Sequence, residues 1–138
     1  MPTLDRPAIR VTPRQAELQA YKRALDAEFP DAVRVLVDLV GVQLVAIVGG
    51  VTDGRRVRDW KAGERDPKDP AIEPRLRLAL QLALMLTSSG RSPRVAQAWF
   101  QGGNPVLGYQ APAMVLRDGI LETVRAKLID AARAFIAE

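Results

Sequence analysis

An all-α fold is predicted by three features of this 138-residue sequence. Helix-start signals, in which a threonine or serine that can cap a helix precedes a proline, occur at Thr12-Pro13 and Ser92-Pro93. The leucine-rich segment from Arg75 to Leu86 contains no β-branched residue, so it predicts a long buried helix although its leucines alternate as in a strand. Leu121 to Ala137 repeats apolar residues at intervals of three and four, which is typical of a helix.

The first elements follow from local signals. Residues 1–11 contain two prolines and no periodicity, which predicts a flexible arm. Thr12 and Gln15 fit a capping box, and we expect the helix that follows to end at Pro30. The large apolar residues expected to form its buried face are Leu18, Tyr21 and Leu25. Ala32 to Val40 is rich in valine and could form a strand, but it leads directly into the next motif and is predicted to be helical.

Leu44 to Pro67 has the pattern of a helix-turn-helix. A short apolar segment is followed by Gly49-Gly50, where we expect the positive φ angles of a tight turn. A second helix should begin at Thr52 or Asp53 and end near Gly63. Within it, Val57 and Trp60 lie three residues apart and should share the buried face.

The opposite face of this second helix is basic, and the segment carries most of the chain's net charge of +4. Arginine can contact guanine edges in the major groove, and both basic residue types can contact phosphates. The sequence therefore predicts a DNA-binding surface made of Thr52, Arg55, Arg56, Arg58, Asp59, Lys61 and Arg65. The alternative is a solvated helix face on which Arg55 and Asp59, four residues apart, pair with each other.

Composition narrows the possible functions. The chain has no histidine and no cysteine, which excludes Ser-His-Asp triads, histidine or cysteine metal ligands and disulfides. No phosphate-binding loop or metal-ligand spacing is present, so we expect no enzymatic activity and no cofactor. The first ten residues lack the apolar stretch of a signal peptide, and charged residues and glycines interrupt the longest apolar tract, Val33 to Val51. These features predict a cytoplasmic protein without a membrane span.

The second half contains a compact motif, A-W-F-Q-G-G-N-P-V-L-G at Ala98 to Gly108, followed by Ala111-Pro112, Leu116 and Gly119. On its own, the motif is consistent with a purely structural connection between helices, because Asn104-Pro105 favours a turn and Pro112 favours a helix start. Together with the preceding helix-turn-helix, it resembles the Xre/MbcA/ParS-type antitoxins. The resemblance implies an Xre-like domain over residues 12–89 and a small helical toxin-binding domain over residues 90–138.

The same resemblance implies a function. Such an antitoxin would neutralise a RES-domain toxin that consumes NAD, and would repress its own operon by binding operator DNA as a homodimer within the toxin complex. The toxin-binding residues implied here are Asn104, Leu107, Tyr109, Phe135, Ile136 and Glu138. This sequence departs from the family after Gly108, where Tyr109-Gln110 replaces the usual glycine and basic residue. The alternative function is a plain Xre-type transcriptional regulator without a toxin partner.

Overall fold

The computed structural model describes residues 11–138, and every regular element within that range is helical. The prediction of an all-α fold is therefore confirmed. The predicted flexible arm lies, except for Val11, outside the described residues. The helices are α1 (Pro13–Asp26), α2 (Phe29–Val40), α3 (Val42–Gly49), α4 (Gly54–Ala62), α5 (Ile72–Ser88), α6 (Pro93–Gln101), α7 (Pro112–Asp118) and α8 (Leu121–Ile136), with a 3₁₀ turn at Pro105–Leu107.

The predicted helix starts are confirmed. The Thr12 hydroxyl accepts a hydrogen bond from the Gln15 backbone N–H at 3.1 Å, and the Gln15 side chain accepts one from the Thr12 N–H at 3.0 Å. Ser92 caps α6 by accepting from the Val95 N–H. Pro30, in contrast, does not end α1, which stops at Asp26; it occupies the first turn of α2 instead. A proline fits there because the first-turn N–H groups have no partner within the helix.

The prediction that Leu18, Tyr21 and Leu25 form the buried face of α1 is wrong. Leu18, Tyr21 and Leu25 are 52%, 44% and 54% exposed, whereas Ala20 and Ala24 are buried. These alanines face the core because their small side chains let the backbone of α1 approach α5 closely, and α1 packs mainly on α5. The larger residues are consequently left on the outside of the helix.

Helix α5 lies at the centre of the core, as the leucine-rich segment predicts. All its residues from Leu78 to Leu86 are buried, including Gln81. The surrounding cluster draws core residues from both sides of the predicted domain boundary at residues 89 and 90, such as Leu36 from α2 and Leu128 from α8. None of the helices in the described part of the chain is long and apolar enough to cross a membrane.

Two arginines on α5 and one in the loop after it donate hydrogen bonds to backbone carbonyls at the ends of other helices. Arg77 donates to the carbonyls of Ala24, Leu25 and Ala27 at 2.7–3.2 Å, where α1 ends without a glycine. Arg75 donates to the Val48 carbonyl near the end of α3. Arg91 donates to the carbonyls of Phe135, Ile136 and Glu138 at 3.2–3.4 Å. A guanidinium suits these positions because helix C-termini expose unpaired carbonyls with partial negative charge.

Candidate functional site

The turn between α3 and α4 is fixed by backbone hydrogen bonds and one side-chain cap. Gly50 has a φ of +73°, and the following Val51 N–H donates to the Ala46 carbonyl at 3.0 Å. The Asp53 carboxylate accepts from the Arg55 N–H at 2.9 Å, so Asp53 rather than Thr52 caps α4. Gly63 ends α4 in the left-handed conformation, as predicted.

Gly49 has a different role from the one predicted. It remains helical with negative φ, so Gly50 alone supplies the left-handed residue of this turn. A Cβ atom at Gly49 would lie 3.1 Å from the Trp60 ring, closer than ordinary van der Waals contact. Gly49 is therefore needed for the close approach of α3 to Trp60 rather than for its own backbone angles.

The two faces of α4 divide as the spacing predicts. Val57 and Trp60 are buried, and the Trp60 ring lies 6.3 Å from that of Phe29 at the start of α2. The side chains on the outer face are exposed. We call this outer face the α4 basic surface, and it consists of Arg55, Arg56, Arg58 and Lys61.

The basic side chains of the α4 basic surface have no ion-pair partner among the described residues. Across residues 11–138, no ion pair is formed by any of its four basic side chains. Asp59 has Arg65 as its neighbour, at 3.9 Å, so the alternative pairing of Arg55 with Asp59 does not form. Thr52, Arg65 and Asp59 border this surface, the first two exposed and the third half-buried. Arg55, Arg58 and Asp59 thus lie opposite the buried Val57 and Trp60, Arg56 and Lys61 lie at the two edges of this face, and Thr52 and Arg65 lie beyond the ends of α4.

The second predicted site begins at the turn after α6. Asn104 is buried, its side-chain oxygen accepts from the Val106 N–H at 2.9 Å, and its backbone carbonyl accepts from the Tyr109 N–H at 2.8 Å. These bonds make Asn104 the centre of the turn. The Asn104 side-chain NH₂ group has no hydrogen-bond partner in the described structure, so part of this side chain is available to a ligand.

Tyr109 occupies the position where the family resemblance expects glycine. Its φ is +66°, in the left-handed region that favours glycine, and its side chain is 76% exposed. Such a conformation is costly for an aromatic residue, and the turn around Asn104 compensates by holding the Tyr109 N–H. Gly103 is required nearby, because a Cβ atom there would lie 2.8 Å from the Tyr109 carbonyl oxygen.

A surface groove of about 370 Å³ lies between α6, this turn and the end of α8. We call it the Trp99 groove. It brings together three predicted toxin-binding residues, Asn104, Phe135 and Glu138, and the buried Trp99. Its lining residues are Val95, Ala98, Trp99, Gly102, Gly103, Asn104, Pro105, Phe135 and Glu138.

Trp99 lines this groove, but its indole nitrogen is buried. The residue is 6% exposed, and its indole N–H has no hydrogen-bond partner among the described residues. A buried polar group without a partner costs free energy, and because this nitrogen is closed to solvent, an acceptor could reach it only after neighbouring side chains moved. The ring packs edge-on against Phe100 at 5.0 Å, and Arg91 lies 5.5 Å from the Phe135 ring at the opposite wall.

The structure separates the remaining predicted toxin-binding residues. Leu107 is not a surface residue: it is 8% exposed and belongs to the core, because the 3₁₀ turn directs it against α8. Ile136 lines a different cavity, of about 470 Å³, together with Glu17 and Met85. Only Asn104, Phe135 and Glu138 share the Trp99 groove, and Tyr109 projects from the adjoining turn.

Within residues 11–138 there is no cluster of three or more acidic side chains positioned to hold a metal ion. Comparison of the chain with models of protein families, with curated proteins and with solved structures found no match.

Proposed function

We propose that the protein binds duplex DNA through the α4 basic surface. The observation that carries this proposal is the set of four exposed basic side chains without ion-pair partners, opposite the buried Val57 and Trp60. An α-helix fits the major groove, and cations on its outer face can displace the counterions condensed on phosphates. A tight turn and the Asp53 cap separate α3 from α4, which supports the proposal that α4 acts as the second helix of a helix-turn-helix.

The basic side chains would contact different parts of the DNA. Arg55 or Arg58 would contact a guanine edge, while Arg56, Lys61 and the bordering Arg65 would contact phosphates. The Arg58 guanidinium lies beside Gly54, one turn earlier on α4, and would extend from there to reach a base. The Asp59 carboxylate lies 3.9 Å from the Arg65 guanidinium and would hold Arg65 near the end of α4.

We further propose that the Trp99 groove binds a protein partner. A partner carbonyl or carboxylate would accept from the Asn104 NH₂ group, while the partner's apolar side chains would contact Phe135. From the resemblance to Xre/MbcA/ParS-type antitoxins, the partner would be a RES-domain, NAD-consuming toxin. The protein would then act in the cytoplasm as an antitoxin and repressor of its own operon.

Two measurements test these proposals separately. Fluorescence anisotropy with duplex DNA from upstream of the gene, compared with a scrambled duplex over a salt series, should show tighter binding to the first and a steep loss of affinity with salt. Equal and negligible affinity for both at low salt would overturn the DNA proposal.

Co-expression with a RES-domain protein from a neighbouring gene should give a complex that co-purifies. A protein that binds the upstream DNA but forms no such complex would instead be the plain Xre-type regulator.

A further inference from the structure

Gln81 is a buried polar side chain without a hydrogen-bond partner in the described part of the chain. It lies in the middle of α5, where it is only 5% exposed and all its neighbours from Leu78 to Leu86 are buried. None of the side-chain hydrogen bonds that α5 makes with residues 11–138 involves Gln81. Burial of an amide without a partner costs free energy, and a methionine of the same length would fill this position without that cost. The Gln81 amide therefore does not stabilise the fold.

The Gln81 amide is open to a groove between α1, α5 and α8. This groove has a volume of about 480 Å³, and we call it the Gln81 groove. Among the described residues, the indole nitrogen of Trp99 is the only buried side-chain N or O atom that is both closed to solvent and without a partner. Gln81 also lacks a partner, so its amide must be reachable from the groove that it lines. The volume lies within the range of small-molecule sites in proteins.

The Gln81 groove has one apolar wall and one polar wall. On α5, Glu73, Arg77 and Gln81 follow one another at intervals of four residues, which places their side chains along one line of the helix. On α1, Tyr21 and Leu25 have the same spacing and form the apolar wall. A ligand that fits between these walls has a flat apolar body and a polar group at one side.

The charges that line the Gln81 groove determine the sign of that polar group. The charged lining residues are Glu73, Arg77 and Arg125. Arg77 donates to the Glu73 carboxylate at 3.0 Å, so these two charges compensate each other. Arg125, on α8, is half-buried and belongs to none of the ion pairs within residues 11–138. The groove therefore has one uncompensated positive charge, and a planar guanidinium is well suited to a carboxylate.

We infer that the Gln81 groove binds a small aromatic carboxylate. The carboxylate group accepts hydrogen bonds from the Arg125 guanidinium and from the Gln81 NH₂ group, and the ring lies against Tyr21 and Leu25. This site shares no residue with the α4 basic surface or with the Trp99 groove. The inference is therefore independent of DNA and toxin binding, and a failure of either leaves it standing.

Titration of the isotopically labelled full chain with naphthoate, followed by NMR, tests the inference. The side-chain amide signals of Gln81, assigned by their absence in Gln81→Met, should shift with a dissociation constant of roughly 1 mM or below, as for a good fragment of this size. The neutral analogue naphthamide should bind roughly tenfold more weakly or worse, because it lacks the charge-assisted hydrogen bonds to Arg125. Unshifted Gln81 signals, or equal affinities for the two probes, would overturn the inference.

Three variants separate recognition of the ligand from a role in folding. Arg125→Gln should weaken naphthoate binding roughly tenfold or more and leave naphthamide binding unchanged. Lys127→Gln, which removes the same charge from an exposed position on α8 outside the groove, is the matched control and should bind both probes like the wild type. Gln81→Met should bind both probes more weakly yet melt at the wild-type temperature or above, because no hydrogen bond within the described structure is lost. A lowered melting temperature of Gln81→Met, or unchanged naphthoate binding by Arg125→Gln, would contradict the proposed site.

Discussion

Trp60 links the core to the α4 basic surface, since its ring packs against Gly49 and Phe29 while neighbouring residues face solvent. Trp60→Ala should lower the free energy of unfolding by about 3–5 kcal/mol, because a large buried side chain leaves a cavity. Leu80→Ala at the centre of α5 should have a cost of similar order. Thermal melts followed by circular dichroism measure both. Lys61→Ala, an exposed neighbour, is the control and should melt like the wild type. A Trp60→Ala variant with unchanged stability would contradict the structural role.

Arg58 tests the chemistry of the α4 basic surface at a single side chain. If Arg58 makes the proposed guanine contact, Arg58→Ala should weaken binding to the upstream DNA by about 1–3 kcal/mol and reduce discrimination against altered sites. Anisotropy titrations against a panel of single-base variants measure both effects. Arg34→Ala is the matched control, since it removes an exposed arginine that pairs with Asp31 on α2. A uniform loss across the panel would assign Arg58 to a phosphate instead.

At the residue scale, the sequence predicted the groups whose roles are local. Asp53, Val57 and Gly63 are correctly assigned because capping and helical periodicity depend on nearby residues. Arg77 and Arg91 could not be assigned in this way, since their carbonyl partners lie 44 to 53 residues away in the chain. The sequence offered one signal: α1 ends without a glycine, so its last carbonyls need a donor from another part of the chain.

Among the helices, the predicted starts of α1 and α6 and the faces of α4 are correct, whereas the end of α1 and its buried face are not. The capping box at Thr12 gives the start of α1, yet Leu18 and Leu25 point outwards. Hydrophobic spacing identifies an apolar face but cannot say whether the core or a partner molecule covers it. The same limit applies to Leu107, which was predicted to contact a partner and is instead covered by the core.

The end of α8 depends on Arg91. Arg91→Ala should remove its three carbonyl hydrogen bonds and its contact with the Phe135 ring, and should destabilise the last turn of α8 by about 1–2 kcal/mol. Hydrogen exchange of the amides in residues 133–138 should become faster. Arg91→Lys should restore part of the protection, since lysine keeps the charge but not the planar donor arrangement. Arg94→Ala, at an exposed site on α6, is the control. Unchanged exchange in Arg91→Ala would contradict this role.

The contact between α1 and α8 should make stability depend on pH. Arg133 donates to both carboxylate oxygens of Glu17 at 2.6 and 2.7 Å, and this hydrogen bonding lowers the pKa of Glu17. A depressed carboxyl pKa adds stability above the pKa of the unfolded chain, about 4.3, and this stability is lost as the pH falls through the folded value. Because the Arg133 side chain is 56% exposed, solvent screening limits the contribution to less than about 1 kcal/mol.

Urea unfolding of Glu17→Gln and wild type at several pH values tests this contribution. The variant should be less stable near pH 7, and the difference should narrow as the pH falls below about 4.3. A difference that stays constant down to acid pH would contradict the proposed ionic contribution.

On the scale of the whole molecule, the two proposed binding surfaces are built from different helices. The α4 basic surface depends on packing against α2 and α3, whereas the Trp99 groove is formed by α6, the Asn104 turn and α8. A deletion from Arg133 onwards would remove Phe135 and Glu138 from the groove, but it would also break the Glu17 contact and remove the carbonyls bound by Arg91. Side-chain substitutions therefore separate the two surfaces more cleanly than truncation does.

Two double variants should separate the functions of the Trp99 groove and the α4 basic surface. Phe135→Ala/Glu138→Gln alters the wall of the Trp99 groove and should abolish neutralisation of the cognate toxin while leaving DNA binding intact. Arg55→Ala/Arg58→Ala should show the reverse, because it removes base-contacting arginines from an exposed face. Growth of cells expressing the toxin, with anisotropy and thermal melts on the same purified variants, distinguishes both effects from unfolding. If the Phe135 double variant rescues growth as well as the wild type, the inhibitory contact lies elsewhere, in the region from Asn104 to Gly119 where Tyr109 is exposed.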